Sequence, residues 1–594
     1  MILLSGCSKK TSEVKPGLNE KLKFNESEYY NAIKANFNDE NFLKDSTFEY
    51  LDTLKTFYAG RNFHPVFLKS YEEQNFVDSI LNIFEKAAGH GLDPEQYHLS
   101  LIASDYYNAI NDTISNPDRL AQLANSEIFL ADAILKYARH MRYGVVNPKE
   151  LFPESYYLPV PDSSKRDLFE PLRKDNTVQY LSDIQPKSKN YKRLQAALEG
   201  FKEYKKLKWE VIPDLNKKIE PGDSCRDINL IAERLITLGC LDSSRIKMKN
   251  LSVYDSSLLE PVKKFQRLNG LNEDGVLGKG TIGKLNTTPD EYIKKIEINL
   301  ERLRWFNYSD TSRYIVVNIP DFRLHAVANK KELFSVKVCT GRKRHADFEK
   351  RLRVYKKTKR LRDRPDDWET PCMYGEISDI ILNPTWNVPP NIIREEILAG
   401  IRKDSSYLSD KNFKVYRDGA EISYKDVSLR ELASSDIPYR IIQDPGAGNA
   451  LGRIKFMFRN PFGIYLHDTP SRAPFSLSNR AVSHGCIRVE KPLAFAEYLL
   501  KDNSEWNLDY LKIEIGQKAD DKSMISEYYK KRAELRKNRS FGKTTEVVLN
   551  KKIPLFVDYS TAWVDDNGEI NFRDDVYDQD KILMEYLFRG EISK

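Results

Sequence analysis

The chain has 594 residues but only six cysteines and eight histidines, the side chains that carry most metal and redox chemistry. No His-Glu-x-x-His and no Cys-x-x-Cys spacing occurs, so the commonest sequence signs of zinc and dithiol sites are missing, and neither a metal nor a cofactor is expected. No run of 18 apolar residues exists, which excludes an ordinary membrane-spanning helix. Neither sign of charge prevails. The 94 basic residues face 87 acidic ones, and the net charge of +7 is too small to suggest a nucleic-acid partner. A hydrophobic fraction of 40% with 30% charged residues is that of globular protein, and a chain of this length splits into roughly three to four domains.

Against that scarcity, one cluster stands out. Ser483-His484-Gly485-Cys486-Ile487-Arg488 follows Tyr465-Leu466-His467-Asp468-Thr469, with fifteen residues between His467 and Ser483. A cysteine just after a glycine can sit on a tight turn with its thiol exposed and backbone N–H groups beside it. A histidine next to it can take its proton, which is the minimal equipment for acyl transfer through a thioester. His484 is close in sequence but constrained in direction, whereas His467 can approach side-on from a separate strand; the residues alone leave both open as base. A histidine base needs an orienting acceptor. Neighbouring side chains on a strand face opposite ways, which favours a backbone carbonyl over the carboxylate of Asp468. The N–H groups of Gly485 and Cys486 are the expected oxyanion donors. Arg488 suits either a substrate carboxylate or the turn itself, and Tyr465 is expected on the same face as His467. A papain-like protease is disfavoured, because there the cysteine lies near the mature N-terminus with its histidine far downstream. Here His467 precedes Cys486.

The rest of the chain divides by pattern. Residues 29–215 read as mostly helical, punctuated at Gly91-Leu92-Asp93-Pro94 and at Gly144 after an apolar helical run; His90 and His140 are expected to be structural. Residues 222–288 form a compact unit. Ile228, Ile231, Leu235 and Leu238 make one helical stripe, and Leu258, Val262, Phe265 and Leu268 a second. Thr281 is placed as the cap of a short third helix. From Tyr314 the pattern becomes β-rich, and residues 289–594 are taken as the domain that holds the cysteine. Residues 342–364 carry twelve Lys/Arg against three Asp/Glu and are expected to be a solvated loop, with attraction to an anionic polymer or membrane surface as the sharper idea. A helix is expected at Ile392, Ile393, Ile397 and Leu398, opening a second insertion over about 390–440. Cys225, Cys240, Cys339 and Cys372 are open either to pairing in an oxidising compartment or to remaining buried free thiols; Cys339 and Cys372 flank one insertion, so a disulfide between those two is geometrically open.

His467 and the run from Ser483 to Arg488 resemble the signature of YkuD-type L,D-transpeptidases. Asn383-Pro384-Thr385-Trp386-Asn387-Val388-Pro389, Gln443-Asp444-Pro445-Gly446 and Lys455-Phe456 are similar to the large multidomain YcbB-like subgroup. Phe265-Gln266, Asp274-Gly275 and Gly278-Lys279-Gly280-Thr281 resemble a three-helix peptidoglycan-binding domain. The resemblance implies a multidomain α+β protein: a helical N-terminal scaffold, a small peptidoglycan-binding domain, and a mainly β catalytic sandwich whose 390–440 insertion is a lid. It implies Cys486 as nucleophile, His467 as base, and His484 and Gly485 as parts of the catalytic turn. Ser483, Tyr465, Trp386, Asn387 and Arg488 are implied at the substrate. The implied partners are peptidoglycan stem peptides and glycan, with carbapenem-type inhibitors acylating Cys486. Leu4-Ser5-Gly6-Cys7 is similar to a bacterial lipobox, which implies lipidation of Cys7, a polar tether over 1–28, and an envelope location, periplasmic and lipid-anchored.

Overall fold

The computed structural model describes residues 25–44, 48–71, 75–111, 114–161, 167–214, 217–245, 252–306, 312–360, 363–538 and 544–588. Cys7 and most of the expected tether lie outside the described residues. The chain divides into two compact units. One comprises residues up to 147 with 160–202 and 296–305; the other comprises 148–159, 203–295 and 306–594.

The first unit is helical. Its axis is the helix Asn116–Tyr143, started by the Ser115 side chain, which accepts from the Asp118 N–H, and stopped at Gly144. Ile128, Leu130, Ile134 and Tyr137 are fully buried along it. The break at Gly91–Pro94 is a left-handed glycine followed by an Asp93 cap. His90 and His140 are buried, with Nδ1 at 3.0 Å from the Tyr191 hydroxyl and 2.9 Å from that of Tyr97 respectively.

In the second unit, helices Ile228–Thr237, Leu259–Leu268 and Lys279–Leu285 pack around Ile231, Leu235, Val262, Phe265, Ile282 and Leu285. Thr281 is not the cap of the third helix. That helix starts two residues earlier, after Gly278, and the buried Thr281 hydroxyl donates to the Val276 carbonyl at 3.0 Å.

Sixteen strands follow in chain order: β1 (Tyr156–Tyr157), β2 (Arg313–Asn318), β3 (Arg323–Ala328), β4 (Lys331–Gly341), β5 (Cys372–Leu382), β6 (Trp386–Asn387), β7 (Phe413–Arg417), β8 (Ala420–Ile422), β9 (Tyr439–Gln443), β10 (Ile454–Phe458), β11 (Leu466–His467), β12 (Ala481–Ser483), β13 (Ile487–Val489), β14 (Thr545–Asp558), β15 (Ala562–Val564) and β16 (Ile570–Phe572). The main sheet runs β5-β10-β11-β13-β4-β3-β2-β14, and β14 returns to pair with β5. The expected sandwich is therefore closed on itself. Strand β14 is long enough, at 14 residues, to pair with both β2 and β5.

The second insertion is a small subdomain with its own sheet, β6-β9-β7-β8, and its own core of Ile393, Ile397, Leu408, Val415, Leu432 and Ile441. The expected helix forms as Pro390–Ile392, a π turn over Ile393–Ile397, and Leu398–Lys403. The basic insertion differs from expectation. It is a helix over Phe348–Thr358 rather than a loop, anchored by buried Phe348 under the Arg344 guanidinium at 4.3 Å. Cys225, Cys240 and Cys339 carry free, buried thiols, so the Cys339–Cys372 pairing left open by the sequence is not formed. Among the described residues no helix is long and apolar enough to cross a membrane.

Candidate active site

Strand register assembles the site. Lys455 of β10 lies opposite His467 of β11, His467 beside Arg488 of β13, and Arg488 opposite Cys339 of β4. Partners across a ladder share a face, so Lys455, His467 and Arg488 form a row on one side of the sheet. Tyr465 and Cys486 stand two residues before His467 and Arg488 and join that face by the period of two. The Ile487 N–H donates to the Tyr465 carbonyl at 3.0 Å, which holds the end of the turn against β11.

The turn from Ser483 to Cys486 is tightly braced. Gly485 has φ +102°, a conformation that disfavours any side chain. Its carbonyl accepts from the Thr370 hydroxyl at 2.8 Å, and that hydroxyl accepts from the Gly341 N–H at 2.9 Å. The Tyr577 hydroxyl donates to the Gly341 carbonyl at 2.6 Å. Ser483, expected at the substrate, is instead buried: its hydroxyl donates to the Cys486 carbonyl at 2.5 Å and accepts from the Gly485 N–H at 3.3 Å. The Gly485 N–H is thus engaged by Ser483, whereas the Cys486 N–H takes no partner among the described residues. One of the two expected oxyanion donors stands ready.

His467 is buried, and its Nδ1 lies 2.5 Å from the Asp468 carbonyl oxygen. A carbonyl only accepts, so Nδ1 carries the proton and Nε2 keeps a lone pair. The orienting group is a backbone carbonyl, as the strand geometry suggested. The Asp468 carboxylate has other work: it accepts from the N–H groups of Arg453 and Thr469 and pairs with Arg472 at 2.6 Å. Gly452, at φ +61°, passes so close that a Cβ there would lie 2.3 Å from this carboxylate. Burial, then the charges of Arg488 and Lys455, push the His467 imidazole down to about 3. Burial pushes the Cys486 thiol up, against hydrogen bonds from Tyr465 and the charges of Lys455 and Arg488. The resting pair is therefore a thiol and a neutral imidazole.

Tyr465 stands beside the Cys486 sulfur, its ring edge-on to His467 with 5.6 Å between centroids, and Trp386 lies next to Tyr465. Trp386 thereby sets β6 near the nucleophile. Asn387 is not brought to the cysteine: it is exposed, and its Oδ1 accepts from Arg440 Nε at 3.1 Å. His484 points the other way, with Nε2 2.9 Å from Oε1 of Glu396 on the π turn and its ring edge-on to Trp368 at 4.4 Å. That Nε2 approach lacks hydrogen-bond alignment. The Arg488 guanidinium makes no hydrogen bond or ion pair with a described residue, so no such bond ties it to the turn. A groove of about 550 Å³ extends from Tyr465 and Lys455 past Asp379, Ile381, Arg459 and Glu546. Thr370, Tyr577, Glu396 and Lys455 were not foreseen as parts of the site. Only Lys455 left a trace in the sequence, inside the Lys455-Phe456 pair.

Residues 312–515 match the family model of the L,D-transpeptidase catalytic domain (YkuD), residues 52–198 that of the Scaffold domain, and residues 226–285 the "Putative peptidoglycan binding domain". A curated relative, the "Putative L,D-transpeptidase" of Haemophilus influenzae, is 30% identical over 290 residues, 48% of this chain and 48% of that protein. The chain thus spans about half the length of the curated relative it matches. A solved L,D-transpeptidase (residues 123-326) from Xylanimonas cellulosilytica is 14% identical with a TM-score of 0.16, covering 50% of this chain and 96% of that one, a likeness too slight to inform the fold. With the Cys486 turn and His467 both inside the matched span, residues 312–515 are an L,D-transpeptidase catalytic domain of the YkuD family, on a chain that also carries scaffold and peptidoglycan-binding domains.

Proposed function

We propose that the chain is a peptidoglycan L,D-transpeptidase that forms 3-3 cross-links through a thioester on Cys486. The observation that carries this reading is the pairing of a cysteine on a braced turn with a neutral histidine on the same sheet face, its Nδ1 spent on a carbonyl. In the first half-reaction the Cys486 sulfur attacks the carbonyl carbon of the penultimate residue of a tetrapeptide stem. The thiol proton passes to Nε2 of His467, and the Cys486 N–H receives the oxyanion; a donor of this kind contributes about 3 kcal/mol to lowering the barrier. Collapse breaks the peptide bond, and terminal D-alanine leaves with the proton from His467. In the second half the side-chain amine of a diamino acid on a neighbouring stem attacks the thioester, His467 takes its proton, and the thiol is restored. Arg488, with no hydrogen bond or ion pair among the described residues, suits a carboxylate of the stem. The same site admits water, which gives an L,D-carboxypeptidase, or a protein amine, which attaches stems to a protein. An envelope location with a lipid on Cys7 belongs to the same proposal.

The test is to mix the protein with purified disaccharide-tetrapeptide and read products by mass spectrometry, with Cys486→Ala alongside. A dimer lacking one D-alanine, absent with Cys486→Ala, is expected, together with a carbapenem adduct on Cys486. A tripeptide alone would establish the carboxypeptidase, and an unchanged substrate with no adduct would overturn the reading.

A further inference from the structure

The mechanism above leaves one charged group of the site without a task. Lys455 projects from β10 on the nucleophile's face, directly across the ladder from His467. Its Nζ lies 3.8 Å from the centroid of the ring of Tyr465, which shares the nucleophile's face two residues before His467. It makes no hydrogen bond or ion pair with any described residue, although Asp379 and Glu546 line the same groove. A half-buried ammonium without a counter-ion is costly, and a ring face compensates only in part. Such a charge is well placed to act on an anion that exists only during the reaction.

We propose that Lys455 is the counter-charge of the Cys486 thiolate. In cysteine enzymes that rest as an ion pair, the imidazolium supplies the positive charge beside sulfur. Here the row Lys455–His467–Arg488 sets a fixed cation on each side of the imidazole. Two cations disfavour a third between them, so His467 stays neutral and able to accept a proton, while the same charges favour the negative sulfur. Division of labour follows: His467 moves the proton and Lys455 stabilises the charge left behind. The groups facing Cys486 are Tyr465 just before β11, His467 from β11, Lys455 from β10 and Arg488 from β13, while His484 in the turn points away to Glu396. Removing Lys455 alone leaves all the others in place.

This inference rests on Cys486 being the nucleophile, and its test uses no peptidoglycan. The rate of alkylation of Cys486 by iodoacetamide is followed against pH in the full chain by mass spectrometry of its peptide. Lys455→Met is expected to move the thiolate limb upward by about one unit and to slow alkylation at neutral pH roughly tenfold, with Lys455→Arg close to wild type. Lys455→Gln replaces Lys455→Met if circular dichroism shows the latter unfolded. A folded neutral variant whose profile superposes on wild type, or an arginine variant displaced as far as the neutral one, would overturn the proposal. The wild-type chain separates the two readings: loss of stem-peptide turnover and of Cys486 labelling there strikes the enzyme assignment, whereas normal labelling with an unshifted variant strikes Lys455 alone.

Discussion

His467 settles how this site responds to acid. An ordinary histidine base loses half its activity near its own titration at about 6.5. Burial and two neighbouring cations hold this one at about 3, and burial raises the thiol it serves. The reactive form, thiol with neutral imidazole, therefore persists across the acidic range. Acylation of Cys486 by a carbapenem should keep its rate from pH 7 to about pH 5, and stopped-flow or mass-spectrometric rates halving near pH 6.5 would show an imidazole of ordinary basicity. The same depression has a stability sign. Unfolded His467 and His90, the latter also held at about 3, gain protons near 6.5 that the folded chain refuses. Their burial costs nothing above about 6.5 and weakens the fold as pH falls from there toward 3.

At the scale of elements, the contact between the 390–440 insertion and the Cys486 turn invites a direct test. The π turn Ile393–Ile397 aims two consecutive acids at the site: Glu395 reaches Arg342 at 3.3 Å and Glu396 reaches His484 at 2.9 Å. The His484 contact holds Glu396 below the usual carboxylate range. Both carboxylates are substantially exposed, so each pair contributes no more than about 1 kcal/mol. Glu396→Gln should accordingly speed proteolysis within 390–440 by roughly two- to fivefold and lower kcat/KM for stem peptides by a similar factor. Iodoacetamide labelling of Cys486 should not change, and a fall in labelling would mean that Glu396 acts on the thiol rather than on the insertion. Much of this element was legible beforehand. Ile392, Ile393, Ile397 and Leu398 announced a helix, but nothing in a 3.6-residue stripe distinguishes an α turn from a π turn. Cys486 and His467 were legible because turn and strand place them within one short stretch. Thr370 and Tyr577 were not, since Thr370 reaches Gly485 and Tyr577 reaches Gly341 across more than a hundred residues of chain, through ladders the sequence does not number. The basic segment misled for another reason. Its charges said solvent, correctly, but one buried aromatic at Phe348 suffices to turn an exposed run into a docked helix.

Within the second unit, the C-terminal segment after β14 joins the small helical bundle to the closed sheet. Arg573, after β16, donates from Nε to Asp321 at 2.6 Å and from Nη1 to the Leu268 carbonyl at 2.9 Å. Lys264 and Lys284 of the bundle pair with Glu569 and Asp574 of the same segment. Removing residues 222–288 would strip partners from Arg573, so a deletion confuses loss of wall binding with loss of stability, and point substitutions are the cleaner tool. Asp321 is the hub. It accepts from Arg573 and also lies 3.1 Å from Nε2 of His325, whose Nδ1 is 2.8 Å from Glu332. These two carboxylates outweigh burial and raise His325 to about 9. A histidine raised in this way stabilises the fold fully below its unfolded value of about 6.5, and the contribution is lost as pH rises through 9. Half-exposed Glu332 is screened by solvent, which leaves roughly 2 kcal/mol for the cluster. His325→Gln should therefore lower stability by about that amount at pH 6 and by little at pH 9.5. Urea titrations of the variant and wild type at the two pH values measure the difference directly, and an equal gap at both would mean that His325 contributes packing rather than charge.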